Sequence, residues 1–140
     1  MQPQTAVDWE NVAKARAADA DALVKAIPTS VSSVYMAGYA VECSLKAFLS
    51  SAKRPYPSRG SAGHDLVGLW KASNFRKRDV PGEAGCATFF FESWNTSIRY
   101  ELTISGSGIS NQDLVDGAKR IAGWLLTQSN RQTIRRRRPR

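Results

Sequence analysis

The 140-residue chain has very little of what metal and disulfide chemistry needs: one histidine, His64, and two cysteines, Cys43 and Cys86. Two cysteines make no disulfide framework, and the plainer expectation is a pair of buried free thiols in a cytoplasmic protein. One histidine and two cysteines cannot furnish a closed zinc site with the usual nitrogen and sulfur ligands, so neither a metal nor a cofactor is expected. Glycine (10) and proline (6) are near ordinary usage, which excludes collagen-like and low-complexity architectures. The longest apolar run, residues 34–41, is eight residues long, far short of a membrane span. The opening residues lack the basic and apolar regions of a secretory signal. These absences predict a cytoplasmic protein without a membrane partner.

Acidic residues are scarce beside basic ones, 12 against 20, for a net charge of +8. The excess is local. Residues 131–140 carry six arginines and residues 1–130 are close to neutral, with 14 basic and 12 acidic side chains. A domain of residues 1–130 followed by a disordered arginine-rich tail, 131–140, is therefore expected. Within that tail Arg135, Arg136, Arg137 and Arg138 would bind any polyanion, with an affinity that falls steeply with salt. A frayed terminus tolerant of change is the blander reading of the same residues.

What is present in quantity is helical patterning. Over residues 7–27, Val7, Trp9, Val12, Ala13, Ala20, Leu23, Val24 and Ile27 recur at spacings of three and four, and Pro28 ends the pattern. A second helix opens at Thr29 or Ser30, either a good N-cap, and runs to about Leu49. It is apolar nearly all round, which marks it as the central helix of the domain. Gly38 and its alanines would let another backbone approach closely.

After a break rich in Pro, Gly and Ser, His64-Asp65-Leu66 opens a short helix, with the Asp65 charge in its first turn favoured by the helix dipole. Residues 86–94 fit a helix or a strand, and the helical surroundings favour helix. Ser110 with Asp113 resembles a capping box for a last helix ending near Ser129. The sum is an all-α, up-and-down bundle of four to five helices.

Familiar catalytic signatures are missing. There is no Walker loop, no dinucleotide glycine fingerprint, no His-Glu-x-x-His and no nucleophile elbow. Three features remain. Glu42, the only acidic residue between Asp21 and Asp65, lies on the buried side of the second helix. There it must be paired or take up a proton, as a structural partner or as a functional carboxylate. His64 is the one side chain suited to proton transfer near neutrality, and Arg59 precedes it by five residues. Such a pair can cleave RNA without metal, the imidazole moving the 2′-hydroxyl or leaving-group proton and the guanidinium meeting charge on the phosphate. The plainer role for His64 is to cap or pack the short helix. Arg99-Tyr100, downstream of Trp94, is suited to a phosphate or a base, or else to pairing with Glu42.

Residues 37–47, Ala-Gly-Tyr-Ala-Val-Glu-Cys-Ser-Leu-Lys-Ala, resemble the central helix of a group of prokaryotic HEPN-domain proteins. That group also carries His-Asp-Leu with a Leu three residues on, as in His64-Asp65-Leu66 and Leu69, and an Arg-Tyr pair before the last helix, as in Arg99-Tyr100. The resemblance spans roughly residues 8–128. It implies an all-α bundle, often a homodimer, with an RNA or nucleotide connection. Many such proteins are metal-independent endoribonucleases of toxin–antitoxin or defence systems, often with a nucleotidyltransferase-like partner protein. Their catalytic Arg-x4–6-His motif lies near the start of the last long helix. Here no histidine follows His64, so that motif is absent from the last helix, and Arg59–His64 has its spacing in another place. A ribonuclease using His64 and Arg59, and a non-catalytic dimerising module that docks a partner protein, are the two readings carried forward.

Overall fold

The computed structural model describes residues 2–57, 63–82, 84–104 and 107–137, and among them the chain is all-helical. Helix α1 spans Ala6–Ala26, α2 Ser32–Ser51, α3 Leu66–Ser73, α4 Ala84–Thr88 and α5 Asn111–Arg137. The fold class expected from the pattern is the one observed.

Helix α1 starts at a capping box in which Thr5 Oγ1 accepts from the Asp8 amide and Asp8 Oδ2 accepts from the Thr5 amide. It ends where Pro28 forces Ile27 out of helical geometry. Ser30 Oγ accepts from the Ser32 amide at the start of α2. Ser110 Oγ accepts from the Asp113 amide at the start of α5.

Helix α2 is the spine, with Val34, Val41, Leu45 and Leu49 wholly buried. Helix α5 runs parallel to it. Asn111 Nδ2 donates to the Pro28 and Ser30 carbonyls at one end, and Ser129 bonds Ser51 and the Ala47 carbonyl at the other. Helix α1 runs antiparallel to both: Asp21 pairs with Lys119, while Trp9 and Ala13 pack with Leu126. The segment between α2 and α5 carries the chain back through α3, α4 and short turns.

The ambiguous stretch resolves as helix. After α4 the backbone winds one π-helical turn over Phe89–Ser93, closed by Trp94 N–H to the Phe89 carbonyl at 2.9 Å. Asn95 then caps a 3₁₀ turn, Thr96–Tyr100. The wide turn buries Phe89, Phe90 and Phe91 and swings the Trp94 indole onto α2. Its Nε1 donates to the Val34 carbonyl at 3.2 Å, and a Cβ on Gly38 would lie 1.9 Å from Trp94 Cε2. The close approach that Gly38 permits is thus used within the chain, by Trp94, rather than by a second backbone.

One boundary differs from expectation. The last helix does not stop near Ser129 but continues to Arg137. Ser129 is buried against α2 instead of capping an end, and the Gln and Arg residues beyond it are good helix formers. Cations at a helix C-terminus also suit its dipole. Residues 131–137 are therefore helix, not a tail detached from the domain.

Candidate functional site

Four side chains of α2, Tyr35, Tyr39, Glu42 and Lys46, follow one another at spacings of four, three and four. That spacing places them on one face of the helix. The face is walled by Trp94 beside Tyr35 and Tyr39, by His64 over Tyr39 and Glu42, and by Trp9 of α1 under Lys46. A row of polar groups results inside an otherwise apolar helix.

At its deep end lies an ion pair. Glu42 Oε2 and Lys46 Nζ are 3.0 Å apart, and both side chains are at most 2% exposed. Burying either charge alone would be costly, so each requires the other. The Lys46 ammonium also sits 4.7 Å from the centre of the Trp9 ring, an attractive placement for a cation over an aromatic face. Trp9 is itself pinned, its Nε1 donating to Tyr56 Oη at 2.9 Å, and Tyr56 Oη meets Ser50 Oγ at 2.7 Å.

The second Glu42 oxygen, Oε1, lies 3.0 Å from His64 Nδ1. A carboxylate facing an ammonium on its other oxygen is an acceptor only, so Nδ1 carries the proton and donates it. In the neutral imidazole Nε2 is then the nitrogen with the free lone pair. The imidazole side chain is 42% exposed while Glu42 is 2% exposed, so a buried carboxylate holds a solvent-reaching base. The contact has the geometry of the carboxylate–imidazole pair in a hydrolytic triad.

Above His64 the aromatic rings take over. Tyr39 meets the imidazole edge-on at 5.6 Å, and its Oη is 2.9 Å from Tyr35 Oη. Burial, then the bond to Tyr35, pushes the Tyr39 phenol well above its usual range, so it stays neutral and able to donate. Arg99 Nη1 donates to Tyr35 Oη at 3.3 Å, and its guanidinium lies 4.8 Å from the exposed Tyr100 ring. The bond to Tyr35 raises the already high guanidinium pKa further. The row therefore runs from an exposed cation at Arg99 to a buried one at Lys46, with His64 between. The neighbouring Cys43 is no nucleophile at neutral pH: burial, with the Glu42 charge adding to it, pushes its thiol from 9.0 up to about 12.

The expected site residues are thus partly united. Glu42 and His64 meet, a contact the pattern did not foretell. The proposed Glu42–Arg99 pair does not form, because Lys46 is one turn away on the same helix while Arg99 is held by Tyr35. Asp65 precedes the first turn of α3 rather than lying in it, and its Oδ1 accepts from the Gly68 amide as an N-cap. Arg59 and Arg138 lie outside the described residues, as do the side chains of Arg136 and Arg137, whereas Arg135 is exposed on α5. Lys46, Tyr35 and Tyr39 were missed. The signal for Lys46 was available: an acid four residues before a lysine on a helix with no other charge.

Both cysteines are free and buried. Among the described residues no three His, Cys, Asp or Glu side chains gather as a metal-binding group, and no helix is long and apolar enough to cross a membrane. Comparison with family models, with curated proteins and with solved structures returned no match.

Proposed function

We propose that this chain is an RNA-associated helical domain of HEPN type, working in a prokaryotic toxin–antitoxin or defence system as a metal-independent endoribonuclease. The observation that carries this reading is the Glu42–His64 dyad: a buried carboxylate 3.0 Å from Nδ1 of a half-exposed imidazole. In the proposed step His64 Nε2 takes the proton of a ribose 2′-hydroxyl. The hydroxyl oxygen attacks the adjacent phosphorus and the bond to the 5′-oxygen breaks, giving a 2′,3′-cyclic phosphate, while the leaving 5′-oxygen takes a proton from solvent water. Glu42 stabilises the imidazolium that forms, as the carboxylate of a triad does. Lys46 positions Glu42 from behind. Arg59, five residues before His64, and Arg99 with Tyr100 are the cations and ring assigned to the phosphates and a base.

RNA incubated with the full chain in EDTA tests this, beside His64→Ala and Glu42→Gln variants. Cleavage by the parent, cyclic-phosphate ends, and a loss of about 10²–10⁴-fold in His64→Ala are expected. Cleavage undiminished in His64→Ala would overturn the assignment.

A second reading, a non-catalytic module that dimerises or docks a partner such as a nucleotidyltransferase-like protein, has one observation of its own. Tyr100 and Leu102 are 77% and 92% exposed, two large hydrophobic side chains separated only by Glu101. Sedimentation at tens of micromolar distinguishes a homodimer from a monomer.

A further inference from the structure

The continuation of α5 beyond Ser129 changes what its arginines can do. Ser129 Oγ is 2.7 Å from Ser51 Oγ and 3.2 Å from the Ala47 carbonyl, and Thr133 Oγ1 is 3.5 Å from Ser51 Oγ. Residues 129 and 133, one helical turn apart, are therefore held against the end of α2. At about 100° per residue, a side chain two positions from Thr133 in either direction points to the opposite face. Arg131 and Arg135 are those two positions. Both are exposed, and among the described residues neither enters an ion pair.

They stand one turn apart at the head of a segment whose ten residues contain six arginines, no lysine and no acid. Beyond Trp124 the face they share carries Thr127 and Gln128, with the exposed Ile134 at its edge as the one large apolar residue. A membrane-surface helix needs an apolar face that this one lacks. Guanidinium in place of ammonium favours bidentate contact with phosphate oxygens.

We infer that the end of α5 is a rigid arm that binds the phosphodiester backbone of a nucleic acid through an arginine ridge led by Arg131 and Arg135. The inference rests on the nucleic-acid association proposed above but not on cleavage. Rigidity is the new element. A disordered basic tail binds by charge alone, whereas a helix in fixed register presents its guanidinium groups at one spacing and in one direction, with less ordering entropy lost on binding.

The experiment uses the full chain carrying His64→Ala, so that cleavage cannot consume the probe. A fluorescein-labelled single-stranded RNA and a DNA duplex of about 20 nucleotides are titrated by anisotropy over a range of NaCl. Arg131→Gln with Arg135→Gln is expected to weaken binding about tenfold at low salt. The slope of log K against log salt should become shallower by about two. Gln132→Pro keeps every charge but breaks the helix between the two arginines. It is expected to weaken binding comparably, with the main unfolding transition unchanged by circular dichroism.

Full affinity in Gln132→Pro would overturn the rigid arm and leave a flexible polyanion-binding tail. Absence of binding to both probes, or binding to phosphatidylserine vesicles in their place, would overturn the nucleic-acid assignment. RNA left uncut by the parent chain, with the arm still binding as described, would count against the ribonuclease reading alone.

Discussion

Helix α2 carries two buried polar clusters, and they are built on opposite plans. The first, Glu42 with Lys46, is ionic and opens to solvent through His64. The second, near the helix end, is neutral: the buried Ser51 and Ser129 bond each other, Ser129 also bonds the Ala47 carbonyl, and the half-buried Thr133 reaches Ser51. A neutral hydroxyl seam of this kind fixes the register of α5 on α2. A buried ion pair gains little stability over an apolar pair of the same size, because desolvation offsets attraction. What sets it apart is that Glu42 also meets a half-exposed imidazole. The two clusters thus separate a polar group that packs helices from one that reaches solvent, the one on which the proposed chemistry rests.

The sharpest way to break this comparison is to remove one ion. Glu42→Ala leaves Lys46 buried without a counter-charge and should cost about 3–5 kcal/mol in urea unfolding. A loss below about 1 kcal/mol would mean that the pair is not the buried ionic element described, on the scale of ordinary surface changes. Gly38→Ala comes next. A new Cβ would lie 1.9 Å from Trp94 Cε2, so the indole must move and its bond to Val34 is lost. A loss of about 1–3 kcal/mol is expected, with a shift in tryptophan emission.

Ser129→Ala removes one hydroxyl from the neutral seam and should cost about 1 kcal/mol by the same denaturant titration. Smallest is His64→Ala, expected within about 0.5 kcal/mol of the parent, since the imidazole is half-exposed and Lys46 still neutralises Glu42. A loss as large as that of Glu42→Ala would make His64 part of the structural pair and remove the contrast.

Much of this was legible in the chain. The three long helices follow from apolar residues at spacings of three and four, and α2 was recognisable as central because apolar residues occupy both of its sides. Glu42 stood out for being acidic on a face due for burial. Its partner did not: Arg99 was as eligible by charge as Lys46, and a pattern cannot measure distance. Lys46, one turn along the same helix, meets it, while Arg99 is drawn to Tyr35 by the turn after Trp94. The length of α5 was misjudged for a related reason. Ser129 looks like a helix stop in one dimension, but in three it is a buried contact with Ser51 and the Ala47 carbonyl.

The sequence by itself determined the helical class, the central helix, the local cap at Ser110, and the confinement of excess charge to the last ten residues. These depend on periodicity, propensity and composition, which are properties of neighbours along the chain. Only the tertiary structure decided which oxygen of Glu42 faces Lys46 and which faces His64, that Trp94 fills the space at Gly38, and that Arg131 and Arg135 stand on one outward ridge. Those outcomes depend on residues tens of positions apart meeting within hydrogen-bond or van der Waals distance. Such meetings are fixed by how helices pack, not by what any helix contains.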